Sequence, residues 1–158
     1  MSEINIRPAT PDDLGIVIDF SVRLAAESEG LDLDREVLAA GIGSALEDSS
    51  KAQYFLAETA GEGAAAEVAG QLMITYEWSD WRNGYFWWIQ SVYVDPDHRR
   101  RGVYRALNSQ VHAEAKERGD VCGLRLYVER NNHVAQQVYS SLDMHQSHYD
   151  LFEIDFVL

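Results

Sequence analysis

The chain has 158 residues, 46% of them hydrophobic and 25% charged, which suits a single globular domain over 1–158 with a sizeable core. Its formal net charge of −13 repels nucleic acid and anionic membrane surfaces and draws in cations, so neither is an expected partner. With no apolar run near the roughly 20 residues of a bilayer helix and no signal-like zones in MSEINIRPAT, a cytoplasmic location is expected.

INIRPA, Ile4 to Ala9, alternates apolar and polar residues and predicts a short strand. Thr10-Pro11-Asp12-Asp13 follows as a helix start, with a hydroxyl cap, an early proline and carboxylates at the positive end of the dipole. Leu14, Val17, Ser21, Leu24 and Ala25 share one helical face, and Gly30 is the expected stop. A second helix is expected from about Asp34 to Leu46, weakened by Gly41 and Gly43.

QYFLAE, Gln53 to Glu58, and VAGQLMITYEW, Val68 to Trp78, predict two strands around a turn at GEGAAAE. Arg82-Asn83-Gly84 signals a reversal into YFWWIQSVYVDP, a strand ended by Pro96, so three strands form a meander. Val103, Leu107, Val111 and Ala115 recur every four residues and predict a third helix closed by Gly119. CGLRLYVE predicts a strand, His133 to Leu142 a short helix, and SHYDLFEIDFVL a last strand. Cys122 excludes a disulfide framework, being the only cysteine, and is expected to be a small buried residue of its strand. The fold class expected is α/β (α+β), a mixed sheet with helices on both faces.

One segment stands against the acidic background. Arg99, Arg100 and Arg101 precede Gly102 between the fourth strand and the third helix, with Arg105 close behind. A helix start opposes cations by ~0.3–1 kcal/mol each, so their clustering there points to an anionic ligand, the alternative being solvated surface charge. Backbone N–H groups aimed from a glycine-containing loop suit a phosphate or pyrophosphate. No GK[ST] follows the glycine, which argues against a Walker-type nucleotide loop.

SVYVDP followed by Arg99-Arg100-Arg101-Gly102-Val103-Tyr104 resembles the [RQ]-x-x-G-x-[GA] pyrophosphate loop of the GNAT superfamily of N-acetyltransferases. Asn132, Ala135 and Tyr139, followed by SLDM, resemble that family's N-x-x-A-x-x-x-Y and L-G-[FM]. Tyr104 stands where the loop usually has glycine or alanine, so its ring must turn aside. Asp143 replaces the glycine of L-G-[FM]. The resemblance covers essentially the whole chain and implies a GNAT-like, mostly antiparallel sheet with acetyl-CoA as co-substrate.

The resemblance also implies roles. The backbone of Val92, Tyr93 and Val94 would pair with the pantetheine arm, and an N–H in that stretch would hold the developing oxyanion. Arg99, Arg100, Arg101, Gly102, Val103 and Tyr104 would receive the pyrophosphate, while Asn132 caps its helix and contacts the pantetheine region. Tyr139, otherwise a core tyrosine, corresponds to the general acid for the departing thiolate. Glu27 and Glu29 would border the acceptor; otherwise they are surface charge at a helix end.

Deprotonating a lysine-like ammonium at pH 7 costs roughly 4.6 kcal/mol, so a base is useful. Trp88 occupies the place where some members carry a glutamate, which leaves Glu77 on the preceding strand as the candidate or as a solvent-facing residue. Trp78, Trp81, Trp87 and Trp88 suit a core, a contact between two copies of the chain as a homodimer, or a wall for a cation. The five histidines show no metal-ligand spacing, so no metal is expected. The function expected is N-acetylation of a primary amine, a cationic small molecule or basic peptide, by direct attack in a ternary complex. The alternative is a non-catalytic acyl-CoA sensor on the same scaffold.

Overall fold

The computed structural model describes residues 3–60 and 65–157, in two compact units that meet in sequence at Leu126 and Tyr127. Residues 61–64 of the expected GEGAAAE turn lie outside the described residues.

The first unit opens with β1 (Glu3–Pro8) and a 3-10 turn (Pro11–Asp13), which leads into α1 (Leu14–Glu29) and α2 (Arg35–Glu47). Then come β2 (Gln53–Ala60), β3 (Glu67–Ser79), β4 (Gly84–Val94), a 3-10 turn (Pro96–His98), α3 (Val103–Glu117) and β5 (Val121–Arg125). Strand order is β1-β2-β3-β4-β5. The first three pairings are antiparallel, and α3 carries the chain over to the parallel β4–β5 pair.

Strand alternation divides the core into two layers. Phe55 and Ala57 of β2 join Leu72, Ile74, Trp87 and Ile89 against Val103, Leu107, Val111 and Ala115, the predicted stripe of α3. Tyr54 and Leu56 point the other way, against Val17 of α1 and Ile42 and Ala45 of α2. Helices therefore cover both faces of a mixed sheet.

The α1 entry is tied to the sheet by charge. Arg7 of β1 donates to both Asp13 oxygens at 2.8 Å and to Glu58 of β2 at 2.7 Å. The Arg7 hydrogen bond holds the Asp13 carboxyl down at about 2. Asp34 caps α2 by accepting from Glu36 and Val37. Asn83 takes the positive φ, 47°, that the Asn-Gly reversal predicts.

Two expectations for β5 need correction. The strand ends at Arg125 rather than running to Glu129. Cys122 is exposed, because Tyr85 faces Val121 while Phe86 faces Gly123, which makes Cys122 the extra residue of a β-bulge.

In the second unit, α4 (His133–Ser140) starts at Asn132, whose side chain accepts from the Ala135 N–H at 3.1 Å. The helix stops short of Leu142, and Asp143 follows at φ 61°, the conformation that a glycine would favour there. The last strand expected at SHYDLFEIDFVL is not formed by its described residues. Period-2 alternation specifies two faces but not the neighbouring edge that must supply hydrogen bonds.

Candidate functional site

The site begins where β4 departs from regular pairing. Gln71 faces Tyr93 and Met73 faces Gln90, so Ser91 and Val92 together oppose Leu72. At this bulge Ser91 has φ 50°, a left-handed conformation that costs a non-glycine residue roughly 1–2 kcal/mol. Gln71 reaches into the bulge. Its amide is fully buried and donates at 3.2 Å to the Ser91 carbonyl and at 3.2 Å to Ser21 Oγ of α1. Its Oε1 has no partner among the described residues.

Pairing with β5 covers only Tyr85 to Trp88 of β4. From Ile89 to Val94 that edge of β4 has no β5 partner, so its backbone can receive an extended ligand. Val92 and Val94 turn their side chains toward the α3 layer, and Tyr93 packs on Phe20 of α1 at 5.1 Å between ring centroids. The predicted role of these residues belongs to the backbone, and their side chains are accounted for by packing. Gly70 lets the layers approach here, since a Cβ would lie 2.8 Å from the Tyr93 carbonyl and 3.1 Å from Val103.

Past β4 the chain enters the arginine loop. Arg100 has φ 61° and Gly102 has φ 86°, and Gly102 starts α3 with no side-chain cap. The first intrahelical bond runs from Ala106 N–H to Gly102 C=O, so the N–H groups of Gly102 and Val103 have no helical partner. No atom lies within 4 Å of a Cβ built on Gly102, and an anion can come close to the backbone there. Tyr104 packs its ring against the α3 core layer. Val103 is buried in the same layer.

The three arginines are not equivalent. Arg100 and Arg101 form no ion pair among the described residues, which leaves their guanidinium groups available to a phosphate. Arg99 is committed: its Nε donates to the Val94 carbonyl at 2.9 Å, and its Nη2 donates to Glu27 Oε2 at 2.7 Å. Its guanidinium also lies 5.6 Å from the centre of the Tyr93 ring. Tyr93 OH donates to the other Glu27 oxygen at 2.9 Å.

Arg99, and then Tyr93, hold the Glu27 carboxyl below its usual range. Burial pushes the Tyr93 phenol up, and Glu27 adds to the effect. Arg23 donates to Asp95 at 3.0 Å, a second tie between α1 and the end of β4. Of the two predicted acceptor carboxylates, Glu27 is thus engaged by the loop, whereas exposed Glu29 has no ion pair among the described residues.

On the sheet face opposite α3, Arg125 donates to Glu77 Oε2 at 2.5 Å and stacks 3.6 Å from the Phe86 ring centre. Glu77 Oε1 has no hydrogen bond among the described residues. Gln90 donates to Thr75 at 2.8 Å nearby. The tryptophans divide: Trp87 is core, while Trp78 and Trp81 are 54% and 86% exposed at the β3–β4 reversal, with Trp78 edge-on to Tyr85.

Asn132 and Tyr139 belong to the second unit. Asn132 performs its capping role, and burial pushes the Tyr139 phenol up, so it stays protonated at neutral pH. Among the described residues no group of three or more His, Cys, Asp or Glu could hold a metal ion, and no helix is long and apolar enough to cross a membrane.

Gln71, Ser91, Arg23 and Arg125 were not singled out by sequence reasoning. A glutamine inside the apolar run VAGQLMI was the one available signal, since a buried polar residue needs partners.

The profile of the Acetyltransferase (GNAT) family matches residues 22–144. Among solved structures, a possible acetyltransferase from Clostridium difficile 630 is 40% identical, with 98% of this chain and 99% of that one covered at a TM-score of 0.88. A predicted acetyltransferase with acetyl-CoA from Clostridium acetobutylicum is 17% identical over 97% and 96% of the two chains, at a TM-score of 0.74. The ribosomal-protein-alanine N-acetyltransferase of Brucella melitensis biovar Abortus 2308 is 18% identical over 98% and 100%, with a TM-score of 0.73. The last two show likeness of fold alone. A search of curated proteins finds no match.

Proposed function

Since the chain belongs to the GNAT acetyltransferase family, we propose that it transfers an acetyl group from acetyl-CoA to a primary amine by direct attack in a ternary complex. The observation that carries this reading is the start of α3. Uncapped N–H groups, a glycine at φ 86° and two arginines outside any described ion pair adjoin the β4 edge that β5 leaves open. Support for the cofactor also comes from the acetyl-CoA in the C. acetobutylicum neighbour. The family match crosses from the first unit into the second, in favour of residues 1–158 acting as one domain.

Acetyl-CoA supplies the acyl group as an activated thioester. The chain's residues then have separate tasks. Arg100, Arg101 and the N–H groups of Gly102, Val103 and Tyr104 hold the pyrophosphate. Arg99 fixes the loop through Val94 and Glu27. The backbone of Val92 to Val94 pairs with the pantetheine arm and turns an N–H to the thioester oxygen, where negative charge develops. Asn132 adds a contact to that arm.

Tyr139 gives its proton to the departing sulfur, a role consistent with a phenol kept protonated by burial. Glu77 takes the proton of the amine through water, because its place on β3 is five residues, roughly 17 Å, from Leu72 opposite Val92. The acceptor is a cationic small molecule or basic peptide, drawn by the net charge of −13 toward Glu29 or, at the other end of β4, toward the exposed tryptophans. Those tryptophans also suit a contact between two copies of the chain. The reaction takes place in the cytoplasm.

Melting curves and a thiol-release screen of amines test the reading. Acetyl-CoA at a hundred times its dissociation constant stabilises by about 2.7 kcal/mol, a clear rise in Tm. Gly102→Asp removes the rise by setting a carboxylate against phosphate. No rise in the wild type would overturn the cofactor assignment. A rise without thiol release from any amine would mark a binding module that does no chemistry.

A further inference from the structure

We propose that Gln71 is a positioning residue for catalysis, holding the Ser91–Val92 peptide so that the Val92 N–H serves as the oxyanion donor. The inference rests on the acetyl-transfer reading above and assigns the donor to one peptide. The Ser91 carbonyl receives the Gln71 amide at 3.2 Å. A trans peptide points its N–H opposite to its C=O, so the Val92 N–H is turned away from Gln71. No cis peptide is present among the described residues, so this geometry applies. The side it turns to is the edge of β4 that β5 has left, beyond Trp88 and Arg125.

Two features make this arrangement a built one. Ser91 holds a positive φ, 50°, inside a strand, and such strain persists only where the surroundings enforce it. The orientation of the Gln71 amide is fixed by chemistry as well: the Ser91 carbonyl can only accept, so the NH2 end must face it. The second N–H goes to Ser21 Oγ at 3.2 Å, which braces the amide from α1. A fully buried amide with Oε1 left without a described partner is a poor choice for stability alone. Methionine would fill the same volume without that cost, so the donor is what the position needs.

The test uses isotope-edited infrared spectroscopy of acetyl-CoA labelled at the thioester carbonyl, bound to the full chain. A hydrogen bond to that oxygen lowers its stretching frequency. The expected result is a lowered stretch in the wild type that returns toward the free value in Gln71→Met. Acetyl-CoA affinity should stay within about threefold, and turnover should fall by about tenfold to a hundredfold, less than outright loss of an oxyanion donor.

Gln71→Leu replaces the methionine variant should that chain fail to fold. Ser91→Val, which resists positive φ, should lose the lowered stretch, and Ser91→Gly should retain it. A wild-type stretch kept in a folded Gln71→Met or Gln71→Leu overturns the positioning role and leaves the proposed activity standing. A wild type that does not bind acetyl-CoA overturns both.

Discussion

Glu27 and Arg99 are 72 residues apart in sequence, yet Arg99 Nη2 donates to Glu27 Oε2 at 2.7 Å. The pair fastens the last turn of α1 to the loop that precedes α3. Because α1 leads to the proposed acceptor side and the loop to the cofactor side, one ion pair spans both.

Glu27→Gln keeps the side chain's shape and removes its charge. Exposed pairs of this kind contribute little, so acetyl-CoA affinity should weaken by about two- to fivefold. Calorimetric titration with acetyl-CoA measures it, alongside the Michaelis constant for the acceptor. A rise in the acceptor constant with unchanged acetyl-CoA affinity would return Glu27 to a direct acceptor contact.

The Arg7–Asp13 pair predicts a pH dependence of stability. Asp13 titrates at about 2 in the fold, below its ordinary 3.8, chiefly through the Arg7 hydrogen bond. A lowered folded value means the contribution is complete above the unfolded value and disappears as pH falls through the folded one. Acid unfolding should therefore steepen between about pH 4 and pH 2. Arg7→Met should move the acid midpoint upward, as read by circular dichroism. An unmoved midpoint would show that other carboxylates govern acid unfolding.

Much of this architecture was legible because local chemistry decides it. The α3 stripe, the cap at Asn132 and the Asn83 turn each depend on residues within one turn of one another. The loop was legible too, since arginines at a helix start contradict the dipole. What escaped depends on partners distant in sequence. Serine carries no signal for φ 50°, and the Ser91 bulge appears only once Gln71 and Ser21 meet it. Cysteine's preference for the interior puts Cys122 inside, but one extra residue in β5 turns it out. The tail around Phe152 and Phe156 alternates like a strand, but alternation does not name a partner edge.

Tyr139→Phe should leave the melting temperature and acetyl-CoA binding near wild type and lower turnover by about ten- to a thousandfold, within the range of one proton donor. Because burial raises the phenol above its ordinary value near 10, wild-type turnover should show no loss of the acid form below about pH 10. Turnover against pH for both proteins measures this. Equal rates would make Tyr139 a packing residue only.

The charge of the chain predicts the acceptor. In the proposed complex the CoA phosphates meet Arg100 and Arg101, while the surface as a whole carries a net charge of −13. An anionic acceptor would be repelled on approach, whereas a cationic one is concentrated near the surface and steered inward. The Debye length shrinks from about 30 Å at 0.01 M salt to about 10 Å at 0.1 M, so steering should fade over that range. With acetyl-CoA saturating, kcat/KM for the best amine should fall as neutral salt rises while kcat holds. Saturation matters, because the arginine loop has a salt dependence of its own. Glu29→Gln should raise the acceptor KM and leave kcat near wild type, since it removes ground-state attraction. Glu27→Gln affects the loop as well, which makes Glu29→Gln the cleaner probe. A best acceptor that is anionic, or a kcat/KM indifferent to salt, would show that local contacts rather than the field select the amine.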